Sequence, residues 1–201
     1  MKKVLIAAAV GMLVAGQVAA QETPWLVRAR AVYVEMVNQD NTNLGANLNV
    51  SNKTIPEVDV SYFFNKNVAA ELVLTVPQEQ SVYSNGTRLG SFTHLPPTLL
   101  AQYHFTNFNG YKPYVGAGAN FTKISKEQIS ALGGTNNVTL SENSVGLAFQ
   151  AGVDVPLTKQ VSLNFDVKKV YIKSHVYASG VDKGTLKLDP VLVGVGVGYR
   201  F

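Results

Sequence analysis

The charged residues of this chain keep to alternate positions. Arg28 and Arg30 are two apart, as are Glu57 and Asp59, and Asp166 and Lys168. Glu71, Gln102, Asp154 and Arg200 share the same phase within similar apolar alternations. Successive side chains of a β-strand point to opposite faces, so this spacing gathers the polar groups on one side of each strand. Both signs meeting in one interior give either an aqueous ion path or a self-satisfied salt-bridge network. Desolvated charges persist when they are paired and hydrogen-bonded. Mixed signs in a narrow space favour the network, which we expect to plug the lower part of an enclosed bore.

Catalysis is not expected. His94, His104 and His175 are scattered without metal-ligand spacing. Ser174 and His175 are the residue types of a lipid-cleaving site, but the sequence identifies no carboxylate beside them. The Gly-x-Gly runs alternate within strands and open no helix, so they make no phosphate loop. No cofactor and no metal are expected.

Pro96-Pro97 is the sharpest local feature. Proline has no N–H, so two in a strand remove ladder bonds. Unpaired carbonyls in lipid cost several kcal/mol, so the gap should be shallow or lined. We expect the barrel wall to open sideways here, near the outer leaflet. His94 would cap a hydrogen bond beside the pair, and Pro56 would frame the same region.

Such groups must be positioned by strands, and the last strand is the clearest. Residues 191–201 read V-L-V-G-V-G-V-G-Y-R-F. Val191, Val193, Val195, Val197, Tyr199 and Phe201 form an unbroken apolar face; Leu192, Gly194, Gly196, Gly198 and Arg200 form the other. Glycines cannot build a core, so the apolar face should meet lipid and the glycine face line a bore. A soluble closed barrel would have to pack every Val- and Leu-rich face into a narrow lumen. Strands are expected at 25–37, 54–64, 67–76, 92–105, 112–124, 143–155, 161–177 and 185–201. Long polar loops fall at 38–52, 77–91, 125–141 and 178–184, with short turns at 65–66, 107–111 and 156–160. Residues 126–132 suit a short helix capped by Gly133. This alternation reads as an all-β, eight-stranded antiparallel transmembrane β-barrel of a Gram-negative outer membrane. Its long loops would be extracellular and its short turns periplasmic. Lys169 and Lys173 fall on the lipid face, so either they stand above the bilayer or a bulge shifts the register.

The barrel should begin at Gln21. Lys2 and Lys3, the apolar run at 4–15 and small residues at 18–20 make residues 1–20 a cleavable signal peptide. Without those two lysines, 15 cations face 13 acids, too small an excess to suggest a nucleic-acid partner. The chain has no cysteine, and ring closure would supply the stability that disulfides give other exported domains.

Several blocks resemble the outer-membrane protein W family. They are Thr-His-Leu-Pro-Pro-Thr-Leu-Leu-Ala-Gln-Tyr at 93–103, Pro-Tyr-Val-Gly-Ala-Gly at 113–118, Gln-Ala-Gly-Val-Asp at 150–154, and Leu-Asp-Pro at 188–190 running to Gly-Tyr-Arg-Phe at 198–201. With Glu71-Leu72 they cover most of the mature chain in family order, and the His-Leu-Pro-Pro-Thr block is the specific one. The resemblance implies passive uptake of small hydrophobic molecules across the outer membrane, with release near Pro96-Pro97 as the physical route. The alternative is a structural, adhesive or receptor barrel without transport. Alternation suggests an apolar pocket above the plug lined by Leu26, Val32, Ile55, Val73 and Leu192. The resemblance adds a constriction of Leu and Trp, with Val145 at the Trp position and no clear match for the Leu near residues 55–58. Tyr199 and Phe201 resemble the terminal signature read by the barrel-assembly machinery. The expected partners are that machinery, outer-membrane lipid and a small hydrophobic solute.

Overall fold

The computed structural model describes residues 23–45, 47–106, 108–129 and 138–201, so the expected signal peptide and the start at Gln21 lie outside it. Strands follow in the order β1 (Trp25–Glu35), β2 (Gln39–Thr42), β3 (Leu48–Val50), β4 (Lys53–Phe63), β5 (Val68–Thr75), β6 (Gln78–Ser84), β7 (Thr87–Leu95) and β8 (Thr98–His104). They continue as β9 (Lys112–Ile129), β10 (Val138–Leu140), β11 (Asn143–Pro156), β12 (Val161–Val170), β13 (Lys173–Ala178), β14 (Val181–Lys187) and β15 (Val191–Arg200). A closed ring runs β1-β4-β5-β8-β9-β11-β12-β15 and back to β1, antiparallel throughout.

The two faces behave as alternation predicts. In β1, Trp25, Ala29, Ala31 and Tyr33 are exposed, while Leu26, Arg28, Arg30, Val32 and Val34 are buried. Val193, Val195 and Val197 point outward. Aromatic rings girdle the short-turn end: Trp25 meets Tyr62 edge-on at 4.8 Å, Tyr103 meets Phe105 at 5.1 Å, and Tyr199 meets Phe201 at 5.0 Å. Aromatic girdles flanking an apolar band mark the two membrane interfaces.

The bore-facing glycines have a specific reason. Arg28 sits across from Gly198 and Arg30 from Gly196, so the missing side chains leave room for the arginine stems. A Cβ on Gly196 would strike the carbonyl of Ala29. A Cβ on Gly116, between Gln102 and Gln150, would stand 3.0 Å from Gln150 Oε1.

Structure at the long-loop end departs from expectation. Residues 38–52 and 77–91 are not plain loops. They carry β2, β3 and the β6–β7 hairpin, which extend the wall above the ring. Lys126 to Ile129 belong to β9 rather than a helix, because β9 pairs with β7 as far as Gly90↔Ile129; Gly133 lies outside the described residues. The expected seventh and eighth strands each break. Ile172 donates its N–H to Asp189 Oδ1 at 3.0 Å, and Leu188 donates to the Ile172 carbonyl at 2.9 Å. Asp189 adopts a left-handed φ of 34° at this kink, and Pro190 follows. Above it, β10, β13, β14 and β2 form a separate four-stranded sheet. Burial alternates without interruption across residues 164–176, so no register shift explains Lys169. Lys169 lies over the Tyr171 ring at 5.7 Å and reaches the Asp189 carbonyl, beside the kink at the long-loop end.

Candidate functional site

The interior is layered. Lowest lies a small apolar cluster of Leu26, Phe63 and Ala69. Leu26 is thus in the bore but beneath the charges, not in the upper pocket as expected.

Next comes the charge network. Arg28 grips Asp154 with two bonds, Nε to Oδ1 at 3.1 Å and Nη2 to Oδ2 at 2.7 Å. Its Nη1 reaches Asp59 at 3.1 Å, Ser61 at 3.0 Å and Glu71 at 2.9 Å. Arg30 contacts Glu57 at 3.1 Å, Asp166 at 3.1 Å, Glu71 at 3.3 Å, and also Asp59. Lys168 joins Glu57 at 2.7 Å to Asp166 at 2.8 Å. Every member is buried and contacts an opposite charge, the condition under which ion pairs survive desolvation. Neutral groups fill the gaps. Gln150 donates to Glu71 at 2.9 Å and to Asp166 at 2.7 Å, Gln102 donates to Glu71 at 2.8 Å, and the Tyr114 hydroxyl donates to Asp166 at 2.8 Å. Gln150, Tyr114, Asn164 and Ser61 were missing from the expected network. Their inward phase was visible in the alternation, but their depth along the bore was not.

Arg200 does not belong to this network. It lies at the lower rim, its guanidinium 4.3 Å above the Phe63 ring, with Nε donating to the Thr23 carbonyl at 3.4 Å. There it borders a cavity of about 210 Å³, whose basic rim includes Lys66, Lys112 and Lys159.

Above the charges an apolar cluster lies beside the buried polar side chains of Gln78, Gln80, His94, Thr98, Asn120 and Thr122. Val32, Ile55, Val73, Leu100, Ile124 and Ala148 are buried in one cluster, with Leu192 packed against it. Val145 is not part of it. The side chain is 63% exposed on the outer face of β11, because its position has the lipid-facing phase, so it cannot form a constriction.

The proline pair marks a seam in the wall. β5 pairs with β8 only as far as Val73↔Thr98. Pairing resumes between β6 and β7 at Gln78↔His94. Residues 74–77 and 95–97 have no ladder partners across this seam. On its other side the wall stays closed: β7 and β8 both hold β9, and Phe121 donates to the Pro97 carbonyl at 2.9 Å. The freed carbonyls are lined, as an apolar setting requires. Asn120 Nδ2 donates to the carbonyls of Pro96 at 3.2 Å and Pro97 at 3.3 Å, and Gln78 Nε2 donates to the Val76 carbonyl at 2.9 Å. Asn120, not His94, does the capping; His94 Nδ1 is buried without a partner. Pro56 faces outward from β4, and its carbonyl accepts from Thr75 Oγ1 at 3.1 Å. It flanks the end of β5, one strand away from the seam.

The histidines stay apart. His94 is beside the seam, His104 stacks on Tyr114 at 4.9 Å, and His175 lies outside the ring on β13. His175 does have a carboxylate beside it, Asp182 at 2.9 Å, which the sequence did not reveal. Ser174 nevertheless points to the opposite face and bonds Ser141, so no Ser-His-Asp relay forms. The Gly184 N–H first, and then His175, hold the exposed Asp182 carboxyl below its ordinary pKa.

Known proteins resemble this chain in sequence or in fold. The chain is 25% identical to the OprG outer membrane protein of Pseudomonas aeruginosa, whose crystal structure superposes with a TM-score of 0.76 over 90% of this chain and 98% of that one. It is 40% identical to an uncharacterized outer-membrane protein, y4mB, of Sinorhizobium fredii, over 92% of this chain and 82% of the relative. It is 24% identical to the dibenzothiophene metabolism operon protein PahQ of Pseudomonas aeruginosa, over 90% of each. A family model described as the OmpW family matches residues 15–201. A closed barrel with its apolar side outward, and agreement along nearly its whole length, lead to one conclusion: the chain belongs to the OmpW family and resides in the bacterial outer membrane.

Proposed function

We propose that the barrel admits small hydrophobic molecules from the extracellular side and releases them sideways into the membrane through the seam at Pro96 and Pro97. The observation that carries this is the break in hydrogen bonding between Val73↔Thr98 and Gln78↔His94. Two features support it. The charge network occupies the bore below the apolar cluster, and an apolar solute would have to displace its hydrogen bonds to pass. Leu95 and Leu99, on either side of the prolines, are exposed on the lipid face. The relative PahQ is named for an operon of dibenzothiophene metabolism, which fits a hydrophobic aromatic cargo.

The test replaces Pro96 and Pro97 with Ala, restoring two backbone N–H donors beside the seam. Uptake of a labelled hydrophobic solute into cells should slow. Unchanged uptake by a folded variant overturns lateral release.

A further inference from the structure

We propose that the upper interior selects solutes with a hydrocarbon body and one neutral hydrogen-bonding oxygen, such as an alkanol or a ketone, and that Gln80 and His94 hold that oxygen beside the seam. The proposal rests on the lateral-release reading and names its substrate class.

The argument begins with unmet hydrogen bonds. Gln80 is 1% exposed and His94 is 5% exposed. Gln80 Nε2 and His94 Nδ1 are both buried without a hydrogen-bond partner. A buried polar atom left unpaired is costly, and a Leu or Phe at either position would avoid the cost. The other polar side chains around the seam are engaged. Gln78 is turned to the Val76 carbonyl, Asn120 to the proline carbonyls, and Thr122 donates to Asn120 Oδ1 at 2.6 Å.

Register brings the two unmet groups together. His94 is opposite Gln78 and Gln80 is opposite Phe92, so Gln80 and His94 are diagonal neighbours on the inward face of one hairpin. Diagonal pairs in a sheet stand about 7–8 Å apart, close enough for one oxygen to lie between their tips. Phe92 belongs to the apolar cluster, its ring 5.9 Å from that of His94.

The chemistry of the pair limits the solute. Gln80 Nε2 donates, and His94 Nδ1 donates or accepts according to its tautomer. A hydroxyl oxygen can accept from Gln80 while its proton goes to His94; a ketone oxygen can accept from both. A pure hydrocarbon satisfies neither group. The cations of the charge layer, Arg28, Arg30 and Lys168, are already committed to carboxylates below, and Lys53, within electrostatic reach of His94, donates to the Glu79 carbonyl at 3.1 Å, so each cation near the site is already engaged.

The test compares 1-octanol with octane. In cells with an intact lipopolysaccharide leaflet, the ratio of octanol to octane uptake should fall about thirty-fold in a Gln80→Met/His94→Phe double variant, the scale of two lost neutral hydrogen bonds. In the parent protein, the imidazole ¹⁵N resonance of His94 should move on titration with octanol and not with octane. Heat-dependent gel mobility reports folding, and the titration decides the matter if the variant fails to fold. An unchanged ratio in a folded variant, or the same ¹⁵N response to both solutes, overturns the proposal. Failure of lateral release looks different: a folded Pro96→Ala/Pro97→Ala variant would take up both solutes as fast as the parent.

Discussion

Replacing Arg28 with Met tests the charge layer most directly. The guanidinium makes five hydrogen bonds, to Asp154 twice, Asp59, Ser61 and Glu71. What matters is which acceptors are stranded. Asp59 keeps Arg30, and Glu71 keeps Arg30, Gln102 and Gln150. Asp154 keeps only Asn164, at 2.9 Å. One buried carboxylate is therefore left without a cation, a loss of about 3–5 kcal/mol. With a urea slope of about 2 kcal/mol/M, the unfolding midpoint in lipid vesicles should fall by about 2 M. Asp154→Asn should cost less, because Arg28 retains two other carboxylates. Combining the two changes should recover about 1 kcal/mol or more relative to their sum, since the neutral amide removes the stranded charge. Heat-dependent gel mobility across a urea series measures all four proteins. Strict additivity, or an Arg28→Met midpoint within error of the parent, would refute the claim that this layer is held by ion pairing around Arg28.

Other expectations follow from particular contacts. Gly196→Ala should destabilise by about 1–3 kcal/mol, because its new methyl meets the Ala29 backbone. Gly198→Ala should cost less on the same assay, because its methyl meets the Ser162 hydroxyl at 2.8 Å and that group can rotate away. Asp182 has a depressed pKa, so its hold on the β13–β14 turn is complete above the ordinary carboxylate pKa of about 4 and is lost as pH falls through the depressed value. Amide exchange at Gly184, which donates to Asp182 Oδ1 at 2.8 Å, should accelerate on that acidification, and Asp182→Asn should abolish the pH dependence. Trp25 is the single tryptophan and lies on the outer face of the lower girdle. Its fluorescence should be quenched more by lipids brominated near the headgroup than by those brominated at chain ends; the reverse order would displace the girdle from the interface.

Alternation carried much of this architecture because each strand lies between two unlike media. It assigned Arg28, Glu57, Asp59 and Lys168 to the bore and Val193, Val195 and Val197 to lipid. A period of two fixes a residue's side but not its height. Arg200 has the inward phase yet sits below the charge layer, and Leu26 has it yet lies beneath Arg28. Val145 went astray by a different route. Family resemblance suggested the bore, while its own phase pointed outward, and the backbone follows the phase. At the extracellular end the period misled because polar residues face inward there. Gln78, Gln80 and Ser84 alternate with Glu79, Ser81 and Tyr83, so the segment reads as a polar loop although it is a strand. Residues 126–129 fit a helical pattern locally, and pairing with β7 overrides it. The Asp182–His175 contact spans a hairpin with a register shift, which no local spacing encodes.

The layered bore and the seam present an apolar solute with unequal barriers. To move down, it would have to part Arg28, Arg30 and Lys168 from their carboxylates without replacing those bonds. Each charge so exposed to hydrocarbon would be costly. To move sideways, it meets residues 74–77 and 95–97, between which no ladder bond exists to be broken. The carbonyls that such a parting would otherwise strand are satisfied from within, by Asn120 and Gln78 on either flank of the seam. On the lateral-release proposal, Asn120 lies at the centre of the route. Asn120→Leu would take the Asn120 bond from both proline carbonyls, leaving Pro96 with the Thr98 hydroxyl at 3.3 Å and Pro97 with the Phe121 N–H at 2.9 Å, and the loosened segment should then shift. Uptake should change as much as it does on replacing the prolines. A folded Asn120→Leu barrel with unaltered uptake would mean that the lining of the seam has no bearing on passage.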